Sequence, residues 1–139
     1  MDQDTKQRTL QKLRQDAYAD LLGIEVVDLE PGYSLVSMTV RDDMLSFHNL
    51  PHGGAIFSLA DAAFGAAANS HGVTSVALNM EISYLKTVAP GTRLTAEATE
   101  EHLGRRTALY HITVNTEGGD LIASCHGVVY RKKESFLDS

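Results

Sequence analysis

The chain has 139 residues, 12 of them Lys or Arg and 18 Asp or Glu, for a formal net charge of −6. With 43% hydrophobic and 22% charged residues, it suits one domain, residues 1–139, around a single core. The acidic balance excludes partners held by an overall basic surface, such as non-specifically bound nucleic acid. An anionic ligand would need a local basic patch.

The lone cysteine, Cys125, cannot close an intrachain disulfide, and no Cys/His spacing matches a structural zinc site. Residues 1–16 are charged throughout and lack the apolar stretch of a signal peptide. The least polar stretch, residues 53–70, is short for a bilayer span and carries Asp61 in its middle. A soluble cytoplasmic protein with no membrane partner is the expectation.

In chain order, Leu10, Leu13, Ala17 and Leu21 lie on one helical stripe. That predicts one amphipathic surface helix over 5–22, within an N-terminal segment 1–22. Asp4 reads as its cap, Gln7 completes a capping box and Gly23 stops it. Strands follow at 24–30 and 33–41, split by Pro31-Gly32, with Val36, Met38 and Val40 alternating against Ser37, Thr39 and Arg41. Residues 42–52 have no period and include Pro51, so they read as a loop.

Residues 53–70, GGAIFSLADAAFGAAANS, are apolar nearly all round. A helix of that kind is buried on several sides, and its Gly and Ala residues let a sheet approach closely. Alternation then returns. Val76, Leu78, Met80, Ile82 and Tyr84 share one face of a long strand, with Ala77, Asn79, Glu81 and Ser83 on the other. Turns at Pro90-Gly91, Leu103-Gly104 and Gly118-Gly119 separate three further strands, which predicts an antiparallel meander. The fold class is α+β, a curved antiparallel sheet wrapped around a long central helix at 53–70.

Asp61 is the sharpest chemical feature, a lone charge inside the most apolar helix. An unpaired buried carboxylate is costly, so it is either satisfied by a cap, a solvent gap or a basic partner, or it is functional. His52-Gly53-Gly54 opens the same helix. Free N–H groups at a helix start suit an anion or a carbonyl gaining negative charge, and glycines let a ligand approach; a turn chosen for packing would look the same. Gly53 and Asp61 are eight residues apart, which is about 12 Å along a helix. Both cannot touch one reacting carbonyl within a single chain, so if both are catalytic a symmetric dimer must bring them together.

His48, His52 and His71 fit no metal signature, and Cys125 lies in a strand pattern that suggests packing. Arg105-Arg106 and Arg131-Lys132-Lys133 are short basic runs, solvated in most proteins, and are here the best places for an anionic ligand to land. Phe47, Phe57, Phe64, Met80 and Tyr84 are candidates to line a ligand pocket or to fill the core.

The stretch HGGAIFSLADAAFGAAANSHG resembles the signature of the PaaI-type hotdog-fold acyl-CoA thioesterases, and the likeness runs over roughly residues 20–131, through SYLKTVAPG and the LGRR turn. The resemblance implies a hotdog fold, with Asp61 as catalytic general base or nucleophile and the Gly53 N–H polarising the thioester carbonyl. It implies a homodimer or homotetramer with the site at the dimer interface. His48 matches a family histidine. The family's Asn six residues before His52 is replaced by Ser46, whose shorter hydroxyl puts rate and substrate preference in question. Asn79 falls where relatives often place a Ser or Thr near the catalytic water.

The resemblance, with these residues in place, implies hydrolysis of an acyl-CoA thioester to the free acid and CoA. Ser46, His48, His52, Gly54 and Asn79 would position substrate or water, and Arg105 and Arg106 would hold the CoA phosphates. No metal or bound cofactor is required. The competing readings are a hydroxyacyl thioester dehydratase, whose loop-histidine pattern fits poorly, and a non-catalytic acyl-CoA-binding hotdog module.

Overall fold

The structure, a computed structural model, describes residues 1–138. Its elements in chain order are α1 (Gln3–Leu13), α2 (Ala17–Leu22), β1 (Glu25–Glu30), β2 (Tyr33–Thr39), α3 (Gly53–Asn69), β3 (Val73–Tyr84), β4 (Arg93–Leu103), β5 (Thr107–Thr116) and β6 (Leu121–Ser135). A short 3-10 turn at Asp42–Met44 opens the loop before α3. The strands form one six-stranded sheet in the order β1-β2-β4-β5-β6-β3, antiparallel throughout. This is the expected wrap of a sheet around a central helix, and the β4-β5-β6 meander is present.

The predicted N-terminal helix is two helices. Asp2, rather than Asp4, caps α1 by accepting from the Thr5 N–H at 2.7 Å. Asp16 then accepts from the Tyr18 and Ala19 N–H groups and starts α2. A side chain that satisfies backbone donors at a new helix start competes with continuing the old one. Only the first half of the predicted stripe is covered: Leu10 packs with Leu29 and Ala66, whereas Ala17 and Leu21 are exposed.

α3 is the spine of the core. Ile56, Leu59, Ala60, Ala63, Phe64 and Ala67 meet Val36 and Met38 of β2, Leu94 and Ala96 of β4, Tyr110 and Ile112 of β5, and Val129 of β6. At Gly127 of β6 an added Cβ would stand 2.6 Å from the Phe64 ring. Phe64 in turn meets Tyr110 edge to face at 5.9 Å.

Polar side chains fix the ends of the helix. Ser34 donates to the Ala63 carbonyl at 2.6 Å, and Ser70 accepts from the Gly32 N–H at 2.7 Å. Asn69 accepts from the Ser75 N–H at 2.8 Å and donates to the Gly65 carbonyl at 2.8 Å, tying the last turn of α3 to the start of β3. Among the described residues no buried side-chain polar atom lacks a partner.

β3 departs from its expected alternation. Ala77 pairs with Val129 but Asn79 pairs with Val128, so Leu78 is an extra residue in the strand. A bulge shifts the two-residue phase. Met80 and Ile82 pair with Gly127 and Cys125 on the face toward α3, while Val76 pairs with Tyr130 on the other face. The five predicted apolar residues therefore do not share a face.

Candidate active site

Gly53 is the first residue of α3, and His52 is its N-cap with extended backbone angles, φ −64° and ψ 133°. The His52 imidazole occupies one orphan donor: its Nδ1 accepts from the Gly54 N–H at 2.8 Å. The Ala55 and Ile56 N–H groups donate to the His52 carbonyl. Among the described residues the Gly53 N–H is thus the first-turn donor left without an acceptor, at the positive end of the helix dipole. Tyr84, at the end of β3, donates its hydroxyl to the Gly53 carbonyl at 3.1 Å and lays its ring 3.3 Å from where a Gly53 Cβ would be. The sequence places Tyr84 on the apolar face of a strand, in a possible pocket or in the core. Its contact with Gly53 comes from strand pairing and has no local signal.

The loop before α3 folds back on itself. Leu45 and Pro51 form a bridge, the Ser46 N–H donates to the Leu50 carbonyl at 2.7 Å, and Asn49 adopts a φ of 61°. Ser46 Oγ accepts from the His48 N–H at 3.2 Å, so this hydroxyl already serves the loop's own turn. His48 is exposed with its ring against Phe47, which is 90% exposed at the loop tip.

Asp61 stands on the wall of a cleft of about 800 Å³ between α3, the α1–α2 corner and the start of β3. Arg14, Asp16, Ala62, Gly65, Val76 and Ala77 are among its neighbours there. Burial pushes the Asp61 carboxyl above its ordinary value, and the negative charge of Asp16 pushes it further. Its side chain is still solvent-exposed in the single chain, so the acid is reachable as well as partly desolvated. Asp16 was not anticipated as a neighbour because only the break between α1 and α2 turns it toward the cleft.

Cys125 is buried, and burial followed by the Asp61 charge raises its thiol to about 11. Burial and a raised thiol both favour packing over reactivity. Of the aromatic pocket candidates, Phe64 is core and borders the cleft, whereas Phe47, Phe57, Met80 and Tyr84 are not part of its lining. His71 pairs with Glu100 at 2.7 Å, in a network that Tyr110 joins.

The remaining predicted residues lie elsewhere in the single chain. Asn79 is exposed on β3, and its register partner Val128 belongs to the opposite face from Gly127. Arg105 and Arg106 sit in the β4–β5 turn, where the Arg106 carbonyl accepts from the Arg131 N–H at 2.7 Å. Arg131 pairs with Ser75, which Asn69 binds, so this basic turn flanks the C-terminal end of α3. Gly53 is at the other end, about 24 Å away along the helix axis. Arg131 is partly committed, donating to the Gly104 carbonyl at 2.8 Å. One chain therefore assembles Gly53, Gly54, His52, His48 and Ser46 at one end of α3, Asp61 midway, and Arg105 and Arg106 at the far end.

Comparison with known proteins follows the same outline. The sequence profile of the thioesterase superfamily matches residues 48–123. The acyl-coenzyme A thioesterase PaaI of Escherichia coli K12 is 39% identical over 116 residues, covering 84% of this chain and 83% of the relative. The solved E. coli PaaI protein from the phenylacetic acid degradation operon has a TM-score of 0.90 at 35% identity, covering 94% of this chain and 95% of that one. A Streptococcus mutans UA159 protein solved with acetyl-CoA has a TM-score of 0.77 at 28% identity, covering 81% and 90%. The chain belongs to the thioesterase superfamily, in its PaaI-type hotdog branch. It is accordingly an enzyme, a thioester hydrolase.

Proposed function

We propose that this hydrolase acts on acyl-CoA thioesters, releasing the free acid and CoA, at a site completed by a second copy of the chain. The observation that carries the reading is the pairing, on one helix, of an uncommitted N–H at Gly53 with a partly desolvated carboxylate at Asp61. The substrate class is supported by the E. coli relative's thioesterase activity on acyl-coenzyme A and by acetyl-CoA bound to the S. mutans neighbour.

In this mechanism the Gly53 N–H donates to the thioester oxygen as it gains charge. Asp61 takes a proton from water, whose oxygen attacks the carbonyl carbon; the C–S bond then breaks, and Asp61 returns that proton to the departing sulfur, so that CoA leaves as the thiol and the carboxylate is restored. A carboxyl raised above its ordinary range holds a proton better than a normal one, which favours the base role over direct attack. His52 positions the donor by occupying the neighbouring Gly54 N–H, and Ser46 and His48 shape the loop around it.

The spacing within α3 requires the second copy. β3 is a sheet edge of twelve residues, with Val76, Leu78, Tyr84 and the adjoining Leu85 exposed. An apolar open edge is a template for another strand. Antiparallel pairing of two β3 edges reverses the second α3, so Asp61 of one copy approaches Gly53 of the other. It also carries the basic turn of one copy, Arg105 and Arg106, back toward the Gly53 end of its partner, where CoA phosphates need cations.

Thiol release from a panel of short, long and aromatic acyl-CoAs tests the reading, with wild type compared to Asp61→Asn. Release by wild type and its loss in the variant is the expected result. Binding of acyl-CoA without release from any member by wild type would instead identify a binding-only module.

A further inference from the structure

The outer face of the sheet carries a second group of chemically capable side chains, remote from the candidate active site. Glu101 of β4, His111 of β5 and His126 of β6 each offer a ligand atom, and these atoms lie within 4.8 Å of one another. His111 and His126 are directly opposed in the β5–β6 register, with their rings stacked at 4.5 Å and 10°. Glu101 is the extra residue of a bulge in β4, between Glu100 paired with Tyr110 and His102 paired with Leu109. The bulge sets its carboxylate beside the histidines instead of continuing the alternation. Glu101 Oε1 lies 3.3 Å from His126 Nε2, spanning the intervening strand.

We propose that these three residues form a Zn²⁺ site. Two imidazoles and a carboxylate are the donors a borderline divalent cation prefers, and three protein ligands leave one position for water. The geometry is already close. Ligand bonds of about 2.0–2.2 Å in a tetrahedron place donor atoms roughly 3.4 Å apart. The Glu101–His126 separation of 3.3 Å matches that edge. Side-chain rotation of His111, which now contacts Ser124 Oγ at 3.1 Å, brings in the third donor. His126 is followed by Gly127, whose face meets Phe64 of α3, so the ion sits on the far side of the sheet from Asp61. Its effect is to clamp three neighbouring strands. No sequence motif announces the site, because its ligands come from three strands and one of them depends on a bulge.

The experiment is calorimetric titration of the chelator-treated full chain with Zn²⁺, paired with thermal denaturation and with the visible absorption of Co²⁺ as a geometric probe. Expected are one ion per chain, a higher Tm with Zn²⁺ and the intense bands of four-coordinate Co²⁺. Losing only a hydrogen-bond partner of a ligand weakens metal sites about 10–100-fold, so His126→Ala and the volume-preserving Glu101→Gln, which remove ligands themselves, should each weaken binding more than about tenfold. Both should also abolish the Tm rise. Circular dichroism shows whether the variants are folded, and the surface position of both side chains makes that the expected result. No binding by wild type, or folded variants that bind as tightly as wild type, would overturn the site.

Discussion

Asp61 has its proton affinity set by two different neighbours, the apolar wall around it and the charge of Asp16. They are separable. Asp16→Asn keeps a side chain that caps α2 but removes the charge. The Asp61 carboxyl should then ionise at lower pH, moving the acid limb of the pH–rate profile for thiol release downward. Asp61→Asn should cut kcat by about 10²–10⁴-fold, the usual contribution of a positioned base. Stability should behave differently. A carboxyl raised in the folded state stabilises the fold below the ordinary carboxylate range, and that contribution is lost as pH rises through the folded value. At neutral pH the Asn variant should therefore melt no lower than wild type, and thermal denaturation at pH 7 checks this.

At the scale of elements, α3 packs tightly on β6 at Gly127, and the first turn of α3 leaves one backbone donor free. Gly127→Ala would drive a methyl into the Phe64 ring, 2.6 Å away, and overpacking of this kind costs about 1–3 kcal/mol. Denaturant midpoints would show it. Gly53→Pro removes the proposed oxyanion donor at the helix position where proline is best tolerated. His52, at φ −64° and ψ 133°, already has the backbone preferred before proline, and only the Tyr84 ring must yield slightly. The helix should persist while kcat falls about 10²–10³-fold, the loss typical of an oxyanion-hole donor.

For the whole molecule, the two edges of the sheet differ in a way that argues for assembly. β1 is short, six residues, and its Asp28 and Glu30 are paired with Lys6 of α1. Charges of this kind blunt an edge. β3 is twice as long and exposes Leu78 at 60%. Leu78→Arg should leave a monomer in sedimentation and abolish thiol release. Mixing of subunits gives a sharper result. On the proposed site, Asp61→Asn and Gly53→Pro chains should each be nearly inactive, but a mixed dimer would have one site carrying both lesions and one carrying neither. Random pairing at equal amounts should restore about a quarter of wild-type activity. No restoration would place both residues in the same chain's site.

The composition of residues 53–69 determined a helix apolar nearly all round, and the turn residues after it determined the succession of strands. Asp61 and the His-Gly-Gly start were legible because a charge in an apolar run and paired glycines at a helix start are local signals. The break at Asp16, the extra residues Leu78 and Glu101, and the contact of Tyr84 with Gly53 were not. Each depends on which strand or helix lies alongside, and a one-residue shift of register moves a side chain to the other face without altering any local pattern. Only the tertiary structure decided that Arg105 and Arg106 stand at the opposite end of α3 from Gly53, and that Glu101, His111 and His126 gather on the outer face. Distances along a chain constrain a single helix; they say nothing of what a sheet brings together.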